Sequence, residues 1–183
     1  MKVFISWSGD ISKSVAELLQ QNLKVIIQST EVFFSSEDIE KGSNWDSVLR
    51  EELSQSSYGI VCLTPQNVDA PWINFEAGAI AKTLDSRVAT LMVGVSPSEI
   101  SGPLTRYQAT STSKNDFFKL IQGINTATEQ PLEEGILERA FEASWPTIQS
   151  GFKAAETAAS QSKSSIIEDD EETNPKELIL HRT

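Results

Sequence analysis

Short apolar runs alternate along the chain with stretches in which apolar residues return every three or four positions. Runs rich in β-branched and aromatic residues predict strands. They are residues 2–7, 31–36, 58–64 and 87–95, and a short edge strand is expected near Gln108. The run YGIVCLT at 58–64 shows no alternation of polar and apolar residues. This is typical of a strand in a parallel sheet that helices cover on both faces.

The stretches between these strands have helical spacing. They predict helices that begin at Ser12, near Trp45 and at Pro71, followed by helices at 115–125 and 132–155. Ser12 is the expected N-cap of the first helix, and Pro71 suits the first turn of the third. The last helix has to accommodate Pro146, which has no backbone N–H to donate.

The repeated order of strand and helix predicts an α/β fold. We expect a flavodoxin-like, doubly wound parallel sheet of about five strands with a C-terminal helical extension. The length of 183 residues suits one domain plus an extension. We therefore expect a domain at 1–150, and at 151–183 a helical extension ending in a flexible acidic tail. From Ile166 onward the chain has six acidic and two basic residues.

Composition narrows the class of protein. The net charge of −11 argues against nucleic-acid binding, because such binding relies on lysine and arginine to neutralise phosphates. No segment approaches the ~18–20 apolar residues of a membrane span, and the apolar run at the N-terminus is too short for a secretory signal. The single cysteine, Cys62, suits a reducing cytoplasm. We expect a cytoplasmic protein in which Cys62 is a core residue.

The inventory of reactive side chains is small. The single histidine, His181, is the third residue from the end of the sequence, whereas a serine or cysteine nucleophile needs a histidine inside the folded body. One histidine and one cysteine also argue against a zinc site, and we expect no metal. Chemistry then depends on carboxylates, hydroxyls and the backbone. In a sheet of this kind it is expected at the carboxyl ends of the strands.

Glu76 stands out within the stretch PWINFEAGAI. An apolar stripe of the predicted helix is expected to face the sheet; it consists of Ile73, Ala77, Ile80 and Leu84. Glu76 falls at the margin of this stripe, one turn after Trp72. A lone glutamate in a first turn more often balances the helix dipole. Together with the loops that follow the first two predicted strands, however, Glu76 is better interpreted as a functional carboxylate.

Three ordered blocks of the sequence carry a resemblance to a known family. They are KVFISWS, VFFSSEDIEKGSNW and YGIVCLTPQNVDAPWINFEAGAI. Together they resemble a Toll/interleukin-1 receptor (TIR) domain, and more narrowly the bacterial TIR-like proteins of anti-phage defence. The ordered match runs from Lys2 to about Ala81 and is specific as a set.

The resemblance implies a set of site residues. In catalytically active TIR domains, a glutamate four residues after a tryptophan cleaves NAD⁺, and Trp72 and Glu76 match this pair. The implied substrate-binding residues are Ser6, Trp7 and Ser8 at the end of the first strand, Ser35 to Asp38 at the start of the loop after the second, and Trp45 at the start of the next helix. WSGD departs from the animal pattern, in which basic residues follow the aromatic. Backbone amides near Gly9–Ser14 are an alternative contact for phosphate.

The resemblance implies an NAD⁺-consuming enzyme that uses NAD⁺ as substrate and needs no further cofactor. Hydrolysis, cyclisation to a nucleotide signal and base exchange stay open. Expected partners are other TIR domains, through self-assembly, and a downstream effector protein. Two alternative functions stay open. One is a non-catalytic TIR assembly module, and the other is a nucleoside N-glycosidase or deoxyribosyltransferase acting on a smaller substrate.

Overall fold

The computed structural model describes residues 1–34, 56–70 and 87–172. Within these ranges five parallel strands form one sheet, and their order across it is β2-β1-β3-β4-β5. The strands are β1 (Lys2–Ser6), β2 (Glu31–Phe34), β3 (Tyr58–Leu63), β4 (Val88–Met92) and β5 (Gln108–Thr110). The four predicted strands and the edge strand at Gln108 are confirmed. The strand order is that of the flavodoxin-like doubly wound fold.

Three helices accompany the sheet in the described ranges: α1 (Asp10–Ile26), α2 (Lys114–Thr126) and α3 (Glu134–Glu172). Two 3₁₀ turns, Pro97–Glu99 and Gly102–Arg106, connect β4 to β5. The helices predicted near Trp45 and at Pro71 lie outside the described residues. The predicted division at residue 150 stays a prediction, although α3 continues across it.

Helix α3 is longer than the 132–155 helix predicted from the sequence. It begins at Glu134, passes through Pro146 and reaches Glu172. Proline removes one backbone donor from a helix, and tertiary packing offsets this loss, because the flanking Trp145 and Ile148 are both buried in the core. The C-terminal helical extension is confirmed. The tail beyond Glu172 lies outside the described residues.

Both faces of the sheet are buried, as the apolar run of β3 predicts. On one face Ile5, Ile60 and Cys62 join residues of α1, α2 and α3 in the larger core cluster. On the other face Phe4, Val61 and Leu63 pack with Val88 of β4 and with Leu104 from the second 3₁₀ turn. Successive residues of a strand point to opposite faces, so β1, β3 and β4 each contribute to both clusters. Burying each large apolar side chain is worth about 1.5–3 kcal/mol.

The start of α1 differs from the prediction that Ser12 is its N-cap. The helix begins at Asp10 and its N-cap is Gly9. The Ser12 hydroxyl instead bonds back to the preceding loop, where it accepts from the Ser8 N–H at 2.9 Å and donates to the Ser8 carbonyl. Gly9 has φ = 83°, a region that favours glycine. The chain therefore turns from β1 into α1 within three residues.

Candidate active site

The carboxyl edge of the sheet brings together the ends of β1, β3 and β4. In the strand register Ser6 lies opposite Val61, and Leu63 lies opposite Met92. The loop that follows β1 and the turn that follows β3 therefore leave the sheet side by side. This edge is where ligands bind in doubly wound folds.

The three predicted site residues at the end of β1 differ in exposure. Ser6 is fully buried, Trp7 is 8% exposed and Ser8 is half-buried. Trp7 belongs to the same core cluster as Ile11 and Val15 of α1, so at most an edge of its ring is open to a ligand. The assignment of these three residues to a substrate groove stays a prediction.

Lys13 supplies a positive charge close to this loop, which the sequence analysis did not anticipate. Its ammonium nitrogen lies 5.6 Å from the centroid of the Trp7 ring, within the range of a cation–π contact. Lys13 follows Trp7 by six positions and matches no motif. Only the tight entry into α1 brings the two side chains together.

Asn67 is the second residue that the sequence analysis missed. Its side chain is 1% exposed, and its amide nitrogen donates to the Ser8 carbonyl at 3.1 Å and to the Cys62 carbonyl at 3.0 Å. Its amide oxygen accepts from the Thr64 N–H at 2.9 Å. An asparagine in the turn sequence TPQN indicates a side chain that bonds to nearby backbone. The bond to Ser8, across 59 positions, had no local indication.

The turn after β3 is closed by backbone bonds as well. The amides of Asn67 and Val68 donate to the Thr64 carbonyl at 3.1 and 3.0 Å, and the Ala70 amide donates to the Asn67 carbonyl at 2.9 Å. The Thr64 hydroxyl is buried and has no hydrogen-bond partner in the described part of the chain. The direction in which the chain leaves toward residue 71 is thus set by a hydrogen-bonded turn.

Gly9 and Gln66 hold the two loops in close contact. A Cβ atom placed on Gly9 would lie 2.9 Å from the Gln66 side-chain oxygen. The positive φ at position 9 therefore requires glycine, and the absence of a side chain there leaves room for Gln66. The first-strand loop and the third-strand turn form one contiguous wall at the carboxyl edge.

Helix α3 also reaches this edge. A Cβ atom on Gly94, just after β4, would lie 2.5 Å from the Ala159 Cβ and 3.7 Å from Pro65. Further along the helix, the Lys163 ammonium bonds to Glu99 at 2.7 Å. Helix α3 thus packs beside the ends of β3 and β4 and continues past them.

Two residues that the sequence analysis assigned to packing are confirmed as core residues. Cys62 is fully buried, and burial raises the pKa of its thiol to about 12, so the reactive thiolate is disfavoured. Trp145 is 7% exposed and packs between Phe141 and Phe152, with ring centroids at 5.5 and 6.3 Å. Neither side chain belongs to the candidate site.

A groove of about 420 Å³ lies between α1 and α3. Its walls include Asp10, Ser14 and Glu17 on α1, and Ala154 and Ala158 on α3. Among the residues that line it, Asp10, Ile11 and Ser14 belong to the Gly9–Ser14 segment, the alternative contact for phosphate, whereas Ser6, Trp7 and Ser8 do not line it. The groove therefore shares the first turn of α1 with the candidate site.

The remaining predicted site residues lie outside the described residues; they are Ser35, Asp38, Trp45, Trp72 and Glu76. In residues 1–34, 56–70 and 87–172, no three His, Cys, Asp or Glu side chains are grouped as a metal site requires. Over the same ranges, the helices lack the combined length and hydropathy that a membrane span demands.

Comparisons with known proteins identify the family to which this chain is similar. The sequence profile of the TIR domain matches residues 3–124, which is two thirds of the chain. Among solved structures, the chain is similar to the TIR domains of the activated Roq1 resistosome that directly recognises the pathogen effector XopQ. That likeness has 17% identity and a TM-score of 0.43, and it covers 81% of this chain and 83% of the other. No curated protein matches the chain.

Proposed function

Because this chain belongs to the TIR domain family, we propose that it cleaves the nicotinamide–ribose bond of NAD⁺, with Glu76 as the catalytic carboxylate. The observation that carries the proposal is the position of Trp72 and Glu76 in the chain. They follow Ala70, the last described residue of the turn at the carboxyl edge, by two and six positions. The loop after β1, which carries Trp7 and Ser8, adjoins that turn through the bond from Asn67 to Ser8.

The topology supports a common location for the predicted groups. From β1 to β2 the chain moves in one direction across the sheet, and α1 connects these two strands. The connections from β2 to β3, β3 to β4 and β4 to β5 all move the other way. Since parallel crossovers are right-handed, we expect these three connections on the face opposite α1. Leu104, in the β4–β5 connection, packs on that face with Phe4.

The predicted groups are distributed over these connections. Ser35, Asp38 and Trp45 belong to the β2–β3 connection, and Trp72 and Glu76 to the β3–β4 connection. The handedness of crossovers predicts both connections on one face of the sheet. Both also begin at the carboxyl edge, because the strands are parallel. One cleft can then receive side chains from the loop after β1, from the β2–β3 connection and from the β3–β4 connection.

The chemistry needs few protein groups. Nicotinamide is a pyridinium while attached to the ribose and leaves as a neutral molecule, so it requires no general acid. Ordinary glycosidases use a second carboxylate for that purpose. The remaining task of the protein is to stabilise a positively charged, oxocarbenium-like ribose. One preorganised anion beside aromatic rings can do so. Glu76 supplies the anion, and Trp45 and Trp72 supply the rings.

The diphosphate of NAD⁺ requires a positive counterpart. The N-terminus of the 17-residue α1 lies at the carboxyl edge, where backbone amides and the helix dipole favour anions. Lys13, next to Trp7, adds a full positive charge. Asp10 in the first turn works in the opposite direction. We assign the diphosphate to the Gly9–Lys13 segment.

The test is nicotinamide release from NAD⁺ by the chain at high protein concentration. We expect release by the wild-type chain and loss of about 100-fold or more in Glu76→Gln, because this substitution keeps the volume and removes the charge. Equal rates in the two proteins would overturn the proposal. Mass spectrometry of the products distinguishes ADP-ribose from a cyclised product and from base exchange.

The cellular setting is proposed from the family resemblance alone. It is antiviral defence in bacteria, with activity raised by assembly with other TIR domains and coupled to an effector protein. A chain that releases no nicotinamide when concentrated or when clustered on a surface would favour the non-catalytic assembly module instead.

A further inference from the structure

Asn67 is a buried polar side chain at the carboxyl edge whose amide makes three hydrogen bonds. Its two amide hydrogens and its amide oxygen are all used, for Ser8, Cys62 and Thr64. A side-chain amide has two donors and one acceptor oxygen, so both kinds of group are engaged. Because Asn67 is 1% exposed, water cannot readily replace these partners.

The three bonds have different consequences. Those to Cys62 and Thr64 are local and shape the turn that leaves β3. The bond to the Ser8 carbonyl is long-range and ties that turn to the loop after β1. The same Ser8 carbonyl also accepts from the Ser12 hydroxyl. Asn67 therefore couples the start of α1, the end of β1 and the end of β3.

We propose that Asn67 is a positioning residue for NAD⁺ cleavage, holding the substrate-binding loop after β1 in register with the segment that carries Glu76. This role rests on the proposed function above. Glu76 lies nine positions after Asn67, and three of those positions belong to the hydrogen-bonded turn that Asn67 helps to close. Asn67 does not itself contact the reacting atoms. It acts through the two loops that it joins.

The sharpest substitution is Asn67→Asp. It keeps the volume and the oxygen that accepts from the Thr64 N–H, but when ionised it has no hydrogen to donate. A carboxylate oxygen would then face the carbonyls of Ser8 and Cys62. We expect the first-strand loop to separate from the third-strand turn. A misplacement of about 1 Å in a reacting group can lower a rate about 100-fold.

Asn125 offers a matched control. It is also a buried asparagine, 6% exposed, and it also bonds across a connection, donating to the Leu132 carbonyl and accepting from the Leu132 N–H, each at 2.9 Å. It lies at the C-terminal end of α2. That helix follows β5 and runs back from the carboxyl edge, so Asn125 is far from the candidate site. Asn125→Asp removes one donated hydrogen bond from a buried amide without touching the two loops.

The experiment measures kcat and KM for nicotinamide release, together with the thermal midpoint, in the wild-type chain, Asn67→Asp, Asn125→Asp and Glu76→Gln. Both asparagine variants should lose stability, Asn67→Asp more than Asn125→Asp, because the first loses two donated hydrogen bonds and the second loses one. Only Asn67→Asp should lose about 10- to 100-fold in kcat/KM, with most of the loss in kcat, at a temperature where all the proteins are folded. Backbone amide resonances of Ser8–Ser12 should shift in Asn67→Asp and stay unchanged in Asn125→Asp.

Two outcomes would overturn the positioning role while leaving the proposed function intact. One is wild-type kinetics in Asn67→Asp while Glu76→Gln is inactive. The other is an equal loss of kcat/KM in the two asparagine variants, which would mean that stability alone is affected. A wild-type chain without nicotinamide release would overturn the proposed function and this role with it. Should Asn67→Asp fail to fold, Asn67→Ala and Asn125→Ala replace the pair.

Discussion

At the scale of single residues, backbone contacts of polar side chains shape the candidate site. Ser12 and Asn67 both bond to the main chain of the loop after β1, and Gly9 has the positive φ that lets this loop turn into α1. Each residue type is ordinary by itself. Their combination fixes the course of two loops that are distant in sequence.

Glu99 is a residue whose ionisation should report on the attachment of α3. The Lys163 ammonium at 2.7 Å, then the N–H and hydroxyl of Ser96, lower the pKa of the Glu99 carboxyl from 4.5 to about 2. Because the folded-state pKa is lowered, the ionised contacts stabilise the folded chain fully above pH 4.5. Their contribution is lost as the pH falls from 4.5 to about 2. We expect Lys163→Ala to raise the pKa of Glu99 toward 4.5.

This shift can be followed by NMR of the Glu99 carboxyl carbon across the acid range. Lys114→Ala is the matched control, since it removes another exposed lysine that bonds a glutamate at 2.7 Å. It should leave the Glu99 titration unchanged. Both carboxylates are exposed to solvent, so added salt should weaken the effect of Lys163. An unaltered Glu99 titration in Lys163→Ala would show that the contact is absent in solution.

At the scale of elements, the principal feature is the fit of α3 against the end of β4. Gly94 has φ = 69°, and a Cβ atom there would lie 2.5 Å from the Ala159 Cβ. The Ala159 Cβ cannot rotate away, because it is attached directly to the helix backbone. The contact thus requires a small residue on both elements.

Gly94→Ala should destabilise the chain by at least about 2 kcal/mol. The positive φ costs about 1–3 kcal/mol for a residue other than glycine, and overpacking adds about 1–3 kcal/mol. Ala159→Gly alone should cost about 1 kcal/mol, because glycine disfavours a helix interior. In the Gly94→Ala background it should cost less or restore stability, since it makes room for the new methyl group. Urea unfolding of the four proteins measures this coupling.

Gly135→Ala is the control for this cycle. A Cβ atom at Gly135, in the first turn of α3, meets nothing within 4 Å, so alanine should be neutral or slightly stabilising there. Additive effects of Gly94→Ala and Ala159→Gly would contradict the close packing of the two elements.

At the scale of the whole molecule, α3 is part of the central core over most of its length. Phe152, Ala155 and Ala159 are all less than 9% exposed and belong to the larger core cluster. Phe152 packs edge-on against Phe117 of α2, with ring centroids 5.0 Å apart. The part of α3 that follows residue 150 is therefore needed to complete the core.

A chain ending at residue 150 should be much less stable than the full chain. Losing Phe152 alone removes about 3–5 kcal/mol from a total that is typically about 5–15 kcal/mol. A chain ending at residue 164 keeps all three buried residues and should unfold near the urea midpoint of the full chain. Equal midpoints for the chains ending at 150 and 164 would show that the domain at 1–150 is self-sufficient.

Much of the fold was predictable because apolar periodicity is a local property. The strand β3 is buried on both faces and contains no polar alternation, and its neighbours β1 and β4 show similar runs. The start of α1 was less predictable, because serine is a common N-cap and nothing local indicates that Ser12 bonds backward. Trp7 had an implied site role, but its aromatic ring is equally suited to the core in which it lies.

The sequence by itself determined the positions of the five strands along the chain, the parallel sheet with two buried faces and the core roles of Cys62 and Trp145, since these follow from burial patterns along the chain. It also contained the ordered blocks by which the family is identified. Only the tertiary structure decided that Asn67 reaches Ser8, that Lys13 approaches Trp7 and that α3 packs against Gly94. These contacts join residues that are distant in sequence or lie across a tight turn. Their distances depend on how whole elements pack, which no local pattern specifies.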